Sequence, residues 1–251
     1  MKILLPPSET KRPGGSGSPL DLRGLALPVL DDERTAVVDA LVRLAEDEDA
    51  SRRVLKLSER QLEDIEHNRM LRTAPTMPAV DRYTGVLFDA LDARTLQPAS
   101  RRWLGAHVWI HSAPFGPVSA LDRIPAYRLA AGTSLPGVPA LRRHWAEATT
   151  AAIAAERPDF VLDLRSEAYV ALGPIPAAVP SAYVRVVTDD GEASRALNHF
   201  NKKSKGELVR AIAEDRPRVR SLRGLNDWAA RRGIALRQTK IAGVIELVVR
   251  G

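Results

Sequence analysis

The sequence has no cysteine, which excludes disulfide bonds, thiolate metal sites and catalysis by a cysteine nucleophile. Histidine is scarce as well: there are five, and none is spaced from a neighbour in a pattern typical of zinc ligands. Long hydrophobic runs are missing as well. The apolar stretch that starts at Ile3 ends at Pro6 and Pro7. That stretch is too short for a signal peptide or a membrane span. We therefore predict a cytoplasmic protein with no metal, no cofactor and no membrane partner.

Local catalytic motifs are absent too. The sequence contains no Gly-x-Ser-x-Gly, no His-Glu-x-x-His and no dinucleotide-binding fingerprint. The glycine-rich stretch at residues 14–17 lacks the Gly-Lys-Ser/Thr that ends a phosphate-binding P-loop. No enzyme class is therefore indicated by a short motif.

Positive charge is concentrated near one end of the chain. The net charge is +6, and residues 195–251 hold 14 lysines and arginines against 5 aspartates and glutamates. The rest of the chain is slightly acidic. This distribution favours a basic face for an anionic partner such as nucleic acid. Charged helices that are simply solvated are the alternative.

Hydrophobic periodicity predicts strands and helices that mix along the whole chain. Hydrophobic residues make up 45% of the sequence, enough for a substantial core, and no linker or internal repeat divides it. The class is α/β or mixed α+β, with residues 1–251 forming one domain. The predicted strands are 2–5, 107–111, 160–164, 183–187, 235–240 and 244–249, and the main predicted helices are 31–49, 58–71, 86–92, 139–156, 194–214 and 219–232. In strand 107–111, alternation would put His107 and His111 on one face.

The first of four polar clusters, residues 6–11, directly follows the first predicted strand. Loops at the carboxyl ends of strands line ligand crevices in open sheets, so Glu9 and Lys11 are candidate acceptor and donor groups. A polar turn is the ordinary alternative.

The second cluster lies within residues 112–129. Gly116 permits a tight bend, Arg128 offers a planar fork for phosphate or carboxylate, and Tyr127 offers a stacking face. Asp122 is an alternative partner that would hold Arg128 in a structural ion pair.

The third cluster, residues 163–169, lies where a predicted central strand ends and a helix starts at Ser166. That arrangement would expose helix amides to an anion, with Glu167 beside them. Ordinary helix capping is the alternative.

The fourth cluster, residues 198–206, lies on a predicted basic helix. Asn198, Lys202 and Lys205 share a face at spacings of four and three, with His199 and Lys203 beside them. Closely packed cations repel each other unless an anion binds between them, so this face is a candidate anion site. A solvated lysine face is the alternative.

Together these clusters resemble the YaaA peroxide-stress family. The matching residues are Leu4 to Lys11, Tyr83-Thr84-Gly85, Ser112, Gly116, Asp122, Tyr127-Arg128-Leu129, Trp145, Leu164, Ser166-Glu167, Tyr169, Lys202-Lys203, Lys205-Gly206 and Glu246-Leu247-Val248. Their order is far more specific than any one piece, and they span nearly the whole chain.

The resemblance implies a cytosolic protein that protects DNA and protein from peroxide and limits free iron. It also implies one compact α/β domain with an irregular mixed sheet flanked by helices, and duplex-DNA binding through a helix-hairpin-helix element. The matching stretch, residues 55–71, contains no glycine and predicts nearly continuous helix. This departure moves the expected DNA contact toward the basic helix at Lys202 and Lys205.

Two functions therefore remain open: a DNA-binding protein of the peroxide response, and an enzyme acting on a nucleobase, nucleotide or related small anion in a cleft of Glu9, Arg128, Glu167 and Lys202. We expect a monomer in either case. The catalytic candidates are Glu9, Glu167 and Lys202; the anion-binding candidates are Ser8, Lys11, Tyr83, Ser112, Tyr127, Arg128, Ser166 and Lys203; the DNA-binding candidates are Lys202, Lys205, Arg60 and Arg69.

Overall fold

A seven-stranded mixed sheet runs through the computed structural model, which describes residues 1–188 and 196–249, with side chains from Phe200 onward in the second range. Asn198 and His199 of the fourth cluster therefore have no described side chains. The strands are Lys2–Leu5 (β1), Met77–Pro78 (β2), Val108–Ser112 (β3), Gly116–Ser119 (β4), Arg123–Ile124 (β5), Val161–Asp163 (β6), Ser181–Thr188 (β7), Leu236–Gln238 (β8) and Val244–Val249 (β9).

The central strands of the sheet are parallel and its edges are antiparallel. The order is β4-β3-β1-β6-β7-β9-β8, in which only the outer pairs β3–β4 and β8–β9 run antiparallel. Strands β2 and β5 form a small separate pair. Because β1 lies between two parallel neighbours, Ile3, Leu4 and Leu5 are completely buried.

Helices cover the sheet and complete one compact α/β domain, as predicted. They are Asp31–Leu44 (α1), Glu48–Leu55 (α2), Glu63–Arg69 (α3), Ala79–Arg82 (α4), Val86–Leu91 (α5), Pro98–His107 (α6), Leu141–Ala155 (α7), Glu167–Val170 (α8), Ala196–Asp215 (α9) and Leu222–Arg231 (α10). None of the helices in the described ranges is both long and apolar enough to cross a bilayer.

Two local predictions were wrong. His107 ends α6 and only His111 lies in β3, so the two rings do not share a strand face. Residues 55–71 are not nearly continuous helix: α2 ends at Leu55, and Lys56 takes a left-handed conformation with φ of 54°. A 3-10 turn, Glu59–Gln61, then precedes α3. The break was missed because such a turn usually needs glycine.

Candidate functional site

A cleft of about 860 Å³ opens at the carboxyl ends of β1 and β6. Residues 6–10 leave β1 to form one wall, and Leu164 together with residues 166–169, which follow β6, form another. The start of α5, one turn of α9 and Tyr183 of β7 provide the other lining residues in the described part of the chain. Neighbouring parallel strands end at the same sheet edge, which is why segments far apart in sequence meet here.

Helix α9 brings two lysines to this cleft. Lys202 is exposed at the cleft, whereas Lys205 is only 6% exposed. The Lys205 ammonium lies 5.8 Å from the centroid of the Tyr183 ring. Burial lowers the pKa of Lys205 to about 8, and the nearby Asp163 carboxylate partly opposes that shift.

Gly206 sets the position of Lys205. Helix α9 packs so closely on α5 that a Cβ at position 206 would lie 2.2 Å from the Leu87 carbonyl oxygen. Only glycine allows this approach, which presses the neighbouring Lys205 against the protein rather than into solvent.

Glu9 and Glu167 give the same cleft two exposed carboxylates. Oε2 of Glu9 lies 3.5 Å from Nη2 of Arg128, although Arg128 does not itself line the cleft. Ser166 is the residue before α8, but its side chain makes no capping hydrogen bond to that helix. The cleft therefore presents both signs of charge together with a serine hydroxyl that does not cap the adjacent helix.

A buried chain of polar groups supports the loop at Ser8 and Glu9. Nζ of Lys11 donates to the carbonyl oxygens of both residues, at 3.0 Å each, and lies 4.1 Å from the Tyr127 ring centroid. Burial lowers the pKa of Lys11 to about 7. The Tyr127 hydroxyl in turn lies 2.8 Å from that of Tyr83.

Ser112 extends this chain, because its Oγ donates to the Tyr127 hydroxyl at 3.2 Å. Burial raises the pKa values of Tyr83 and Tyr127, so both phenols stay protonated at neutral pH. These groups act as a rigid support behind the cleft rather than as its lining.

A buried ion pair lies beneath the cleft where β6 ends. Arg165 is fully buried and donates to Asp163 from Nε at 2.9 Å and from Nη2 at 2.6 Å. Its Nη1 donates to the carbonyl oxygen of Gly173 at 2.9 Å and to Nδ1 of His111 at 2.8 Å. This network fixes the backbone that turns from β6 into α8.

The structure thus divides the predicted site residues into three groups. The residues that line the cleft are Ser8, Glu9, Ser166, Glu167, Lys202 and Lys205. The residues that support it from behind are Lys11, Tyr83, Ser112, Tyr127 and Arg128. The residues outside it are Lys203, which pairs with Glu207 at 3.6 Å, Arg60 in the 3-10 turn, and Arg69, which pairs with Glu66.

Asp122 does not hold Arg128. Its Oδ2 accepts hydrogen bonds from the backbone amides of Ala26 at 2.7 Å and Ser119 at 2.8 Å. The backbone of Arg128 is instead fixed by Asn68, whose Oδ1 accepts from the Arg128 amide at 2.8 Å and whose Nδ2 donates to its carbonyl at 2.9 Å. The structural ion pair considered for Asp122 is therefore wrong.

Sequence reasoning missed several residues in and beneath the cleft. Arg165 and His111 were not identified as a pair, although an arginine that directly follows a buried strand was a usable hint. Tyr183 and Asn201 also line the cleft, and the Asn201 Oδ1 is buried without a partner in the described part of the chain. Among those same residues, no group of three or more histidines, aspartates and glutamates is arranged to hold a metal ion.

Comparisons of the sequence with a family model and with individual proteins point to the same family. Residues 1–235 match the family described as "Peroxide stress protein YaaA". The chain is 47% identical to the UPF0246 protein CE1889 of Corynebacterium efficiens over 85% of each chain. It is 40% identical to the UPF0246 protein SCO2297 of Streptomyces coelicolor, over 84% of this chain and 82% of that one.

Proposed function

Because the chain belongs to the family of the peroxide stress protein YaaA, we propose that it acts in the cytosol under peroxide stress by binding DNA and limiting oxidative damage. The observation that carries this proposal is the pair of α9 lysines, Lys202 and Lys205, at one cleft. Lowered free iron belongs to the same proposal, and we assign no residue to it.

The size of the cleft limits what part of DNA enters it. Small-ligand sites typically enclose about 300–1,000 Å³, and the cleft, at about 860 Å³, falls within that range. That volume suits one nucleotide rather than a length of duplex. We therefore propose that the cleft takes a single unpaired nucleotide, since unstacking costs least where a base is already unpaired or damaged.

The mixed charges of the cleft suit such a ligand. Lys202, at the exposed rim, is placed to meet a phosphate, as cations that track nucleic acid do. Glu9 and Glu167 are acceptors for the N–H groups that nucleobases present.

The helix pair α2 and α3 is a second proposed DNA contact, in the manner of a helix-hairpin-helix. Arg60 is exposed in the turn between the helices. Arg69 is less suited to phosphate, because its guanidinium already contacts Glu66 and donates to the Ala45 carbonyl oxygen at 2.8 Å. We therefore assign this contact to Arg60.

The test is a titration of labelled duplexes, with and without one unpaired nucleotide, at several salt concentrations. We expect tighter binding to the duplex with the unpaired nucleotide. Lys202→Ala should weaken that binding and flatten the salt dependence by about one unit of log–log slope. Lys203→Ala is the matched control, because Lys203 lies outside the cleft and pairs with Glu207. Equal affinity for both duplexes, or no binding at low salt, would refute the proposal.

A second candidate function, catalysis on a nucleobase, nucleotide or related anion, is favoured by one observation. A buried lysine with a lowered pKa shares the cleft with two carboxylates. The variant Glu167→Gln separates the two functions in cells that lack the native protein. Loss of peroxide survival with unchanged DNA affinity would support catalysis, and full survival would oppose it.

A further inference from the structure

Lys205 differs from the other lysines whose contacts are known. Lys2 donates to the Ala106 carbonyl, Lys11 to two loop carbonyls, and Lys203 pairs with Glu207. Nζ of Lys205 has no hydrogen-bond partner among the described residues, although the side chain is more than nine-tenths buried and lines the cleft. A buried amine held in this way is available to a ligand.

The surroundings of Lys205 favour the reactive form of that amine. Burial lowers the pKa of Lys205 to about 8. At pH 7.5 such an amine is neutral in about a quarter of the molecules, compared with about one in a thousand for an ordinary lysine. Only the neutral amine is a nucleophile, and lysines desolvated in this way form Schiff bases with carbonyl compounds.

We propose that Lys205 forms a reversible imine with the aldehyde carbon of a phosphate-bearing sugar, and this inference rests on the proposed binding of a nucleotide-sized anion in the cleft. The substrate class is a ring-opened deoxyribose that has lost its base, either within DNA or as a free sugar phosphate. Lys202 at the rim would meet the phosphate while Lys205 meets the aldehyde.

The reaction balances without an oxidant or a cofactor. The Nζ lone pair attacks the carbonyl carbon, and a proton moves from nitrogen to the former carbonyl oxygen to give a carbinolamine. The C–O bond then breaks as the nitrogen loses its remaining proton and the departing hydroxyl gains one, so one water leaves and the C=N bond remains. Hydrolysis reverses each step and restores both the aldehyde and the lysine.

The groups around Lys205 suit this chemistry. Asp163 of β6 is close enough to influence its charge, and Tyr183 of β7 presents its ring face to Nζ. Glu167 of α8 and Glu9 of the β1 loop line the same cleft and offer carboxyl groups that exchange protons with the carbinolamine oxygen. Lys202 shares helix α9 and adds a second lysine to the cleft lining.

The experiment is reductive trapping with cyanoborohydride, using two probes. One is free 2-deoxyribose 5-phosphate, and the other is a duplex with one abasic position. Peptide mass spectrometry of the wild-type protein should map the adduct to Lys205 in preference to the other amines. At pH 7.5, where the protonated imine is still reduced, Lys205 should react well ahead of ordinary lysines, because a larger fraction of its amine is neutral.

Variants then test the assignment. Lys205→Met and Lys205→Arg should each reduce trapping at least tenfold, and the arginine variant keeps the positive charge. Lys203→Met removes an exposed lysine two residues away and should trap like the wild type. If a Lys205 variant does not fold, the position of the adduct in the wild-type protein still shows whether Lys205 forms the imine.

The two probes distinguish the outcomes. Trapping of both probes supports an imine with DNA as a source of the substrate, and trapping of the free sugar alone supports a metabolite source. Trapping of neither probe, although the abasic duplex binds, overturns the imine and leaves DNA binding intact. An adduct at Met1 or at surface lysines instead of Lys205 also overturns it.

Discussion

Arg165 donates a 2.8 Å hydrogen bond from Nη1 to Nδ1 of His111, and this contact fixes the state of the histidine. Since arginine has only donors, Nδ1 must be the unprotonated nitrogen, so the ring is neutral with its proton on Nε2. Nε2 is buried and has no partner within the described residues. Burial and the adjacent Arg165 charge hold the pKa of His111 well below its usual range.

The first prediction concerns acid stability. Because the folded-state pKa of His111 lies below the unfolded value of 6.5, the unfolded chain takes up a proton that the folded protein excludes. Stability should therefore fall as pH drops below 6.5, by up to about 1.4 kcal/mol per pH unit from this group. His111→Gln should reduce that loss in urea unfolding at pH 7.5, 6.0 and 5.0. Identical pH dependence in both proteins would contradict the assignment.

The second prediction concerns the buried ion pair. Arg165→Leu leaves the Asp163 carboxylate buried without its partner, so the free energy of unfolding should drop by about 3–5 kcal/mol. Arg23→Leu is the control, because the Arg23 side chain is 88% exposed in its pair with Asp31. That change should alter stability by less than about 1 kcal/mol. Chemical denaturation of both variants measures the two losses in free energy of unfolding. Similar losses would contradict the prediction.

The third prediction uses Lys205 as a stability probe. Its folded-state pKa is lowered to about 8, so below pH 8 the folded protein bears the cost of a buried charge. Lys205→Met should remove this cost and raise the free energy of unfolding by about 3 kcal/mol at pH 7. The advantage should shrink between pH 8 and pH 10.5, as the wild-type amine becomes neutral in both states. A variant less stable than the wild type at pH 7 would count against a costly buried ammonium.

The fourth prediction tests the contact between α9 and α5. Gly206→Ala places a Cβ 2.2 Å from the Leu87 carbonyl oxygen, so α9 must move. We expect a loss of about 1–3 kcal/mol in stability, together with weaker ligand binding in the cleft. Gly224→Ala in α10 is the matched helical control, since its nearest neighbour is 3.6 Å away. That variant should be neutral or slightly more stable in thermal melts, and a similar loss in both would argue against the steric explanation.

The residues that sequence reasoning placed correctly follow local rules. A run of Ile3, Leu4 and Leu5 closed by two prolines predicts a buried strand over residues 2–5. In the structure β1 has the same bounds. Glu9 and Glu167 come together because each follows a parallel strand. The bounds of β1 and the positions of Glu9 and Glu167 can be inferred from burial, strand order and turn-forming residues alone.

The features that the sequence did not reveal depend on contacts between distant segments. Lys205 lies in a run of lysines, which by itself indicates a solvated face. Its burial follows from the rotation of α9 on α5, which is set by Gly206 against Leu87. The left-handed conformation of Lys56 was missed for a related reason. It accompanies the burial of Leu55 and Leu57 on either side, and the local sequence pattern does not show that burial.

The central position of β1 also has a consequence for the order of events during synthesis. β1 pairs with β3 on one side and β6 on the other, so its first residues emerge from the ribosome long before either neighbour exists. At typical rates of about 5–20 residues per second, roughly ten to thirty seconds pass before Asp163 has been made. During that interval the apolar strand at Ile3, Leu4 and Leu5 has no native partner on its β6 side. The sheet can therefore close around β1 only after both of its sequence-distant neighbours have been made, so the order of synthesis makes the centre of the sheet a late-forming part of the fold.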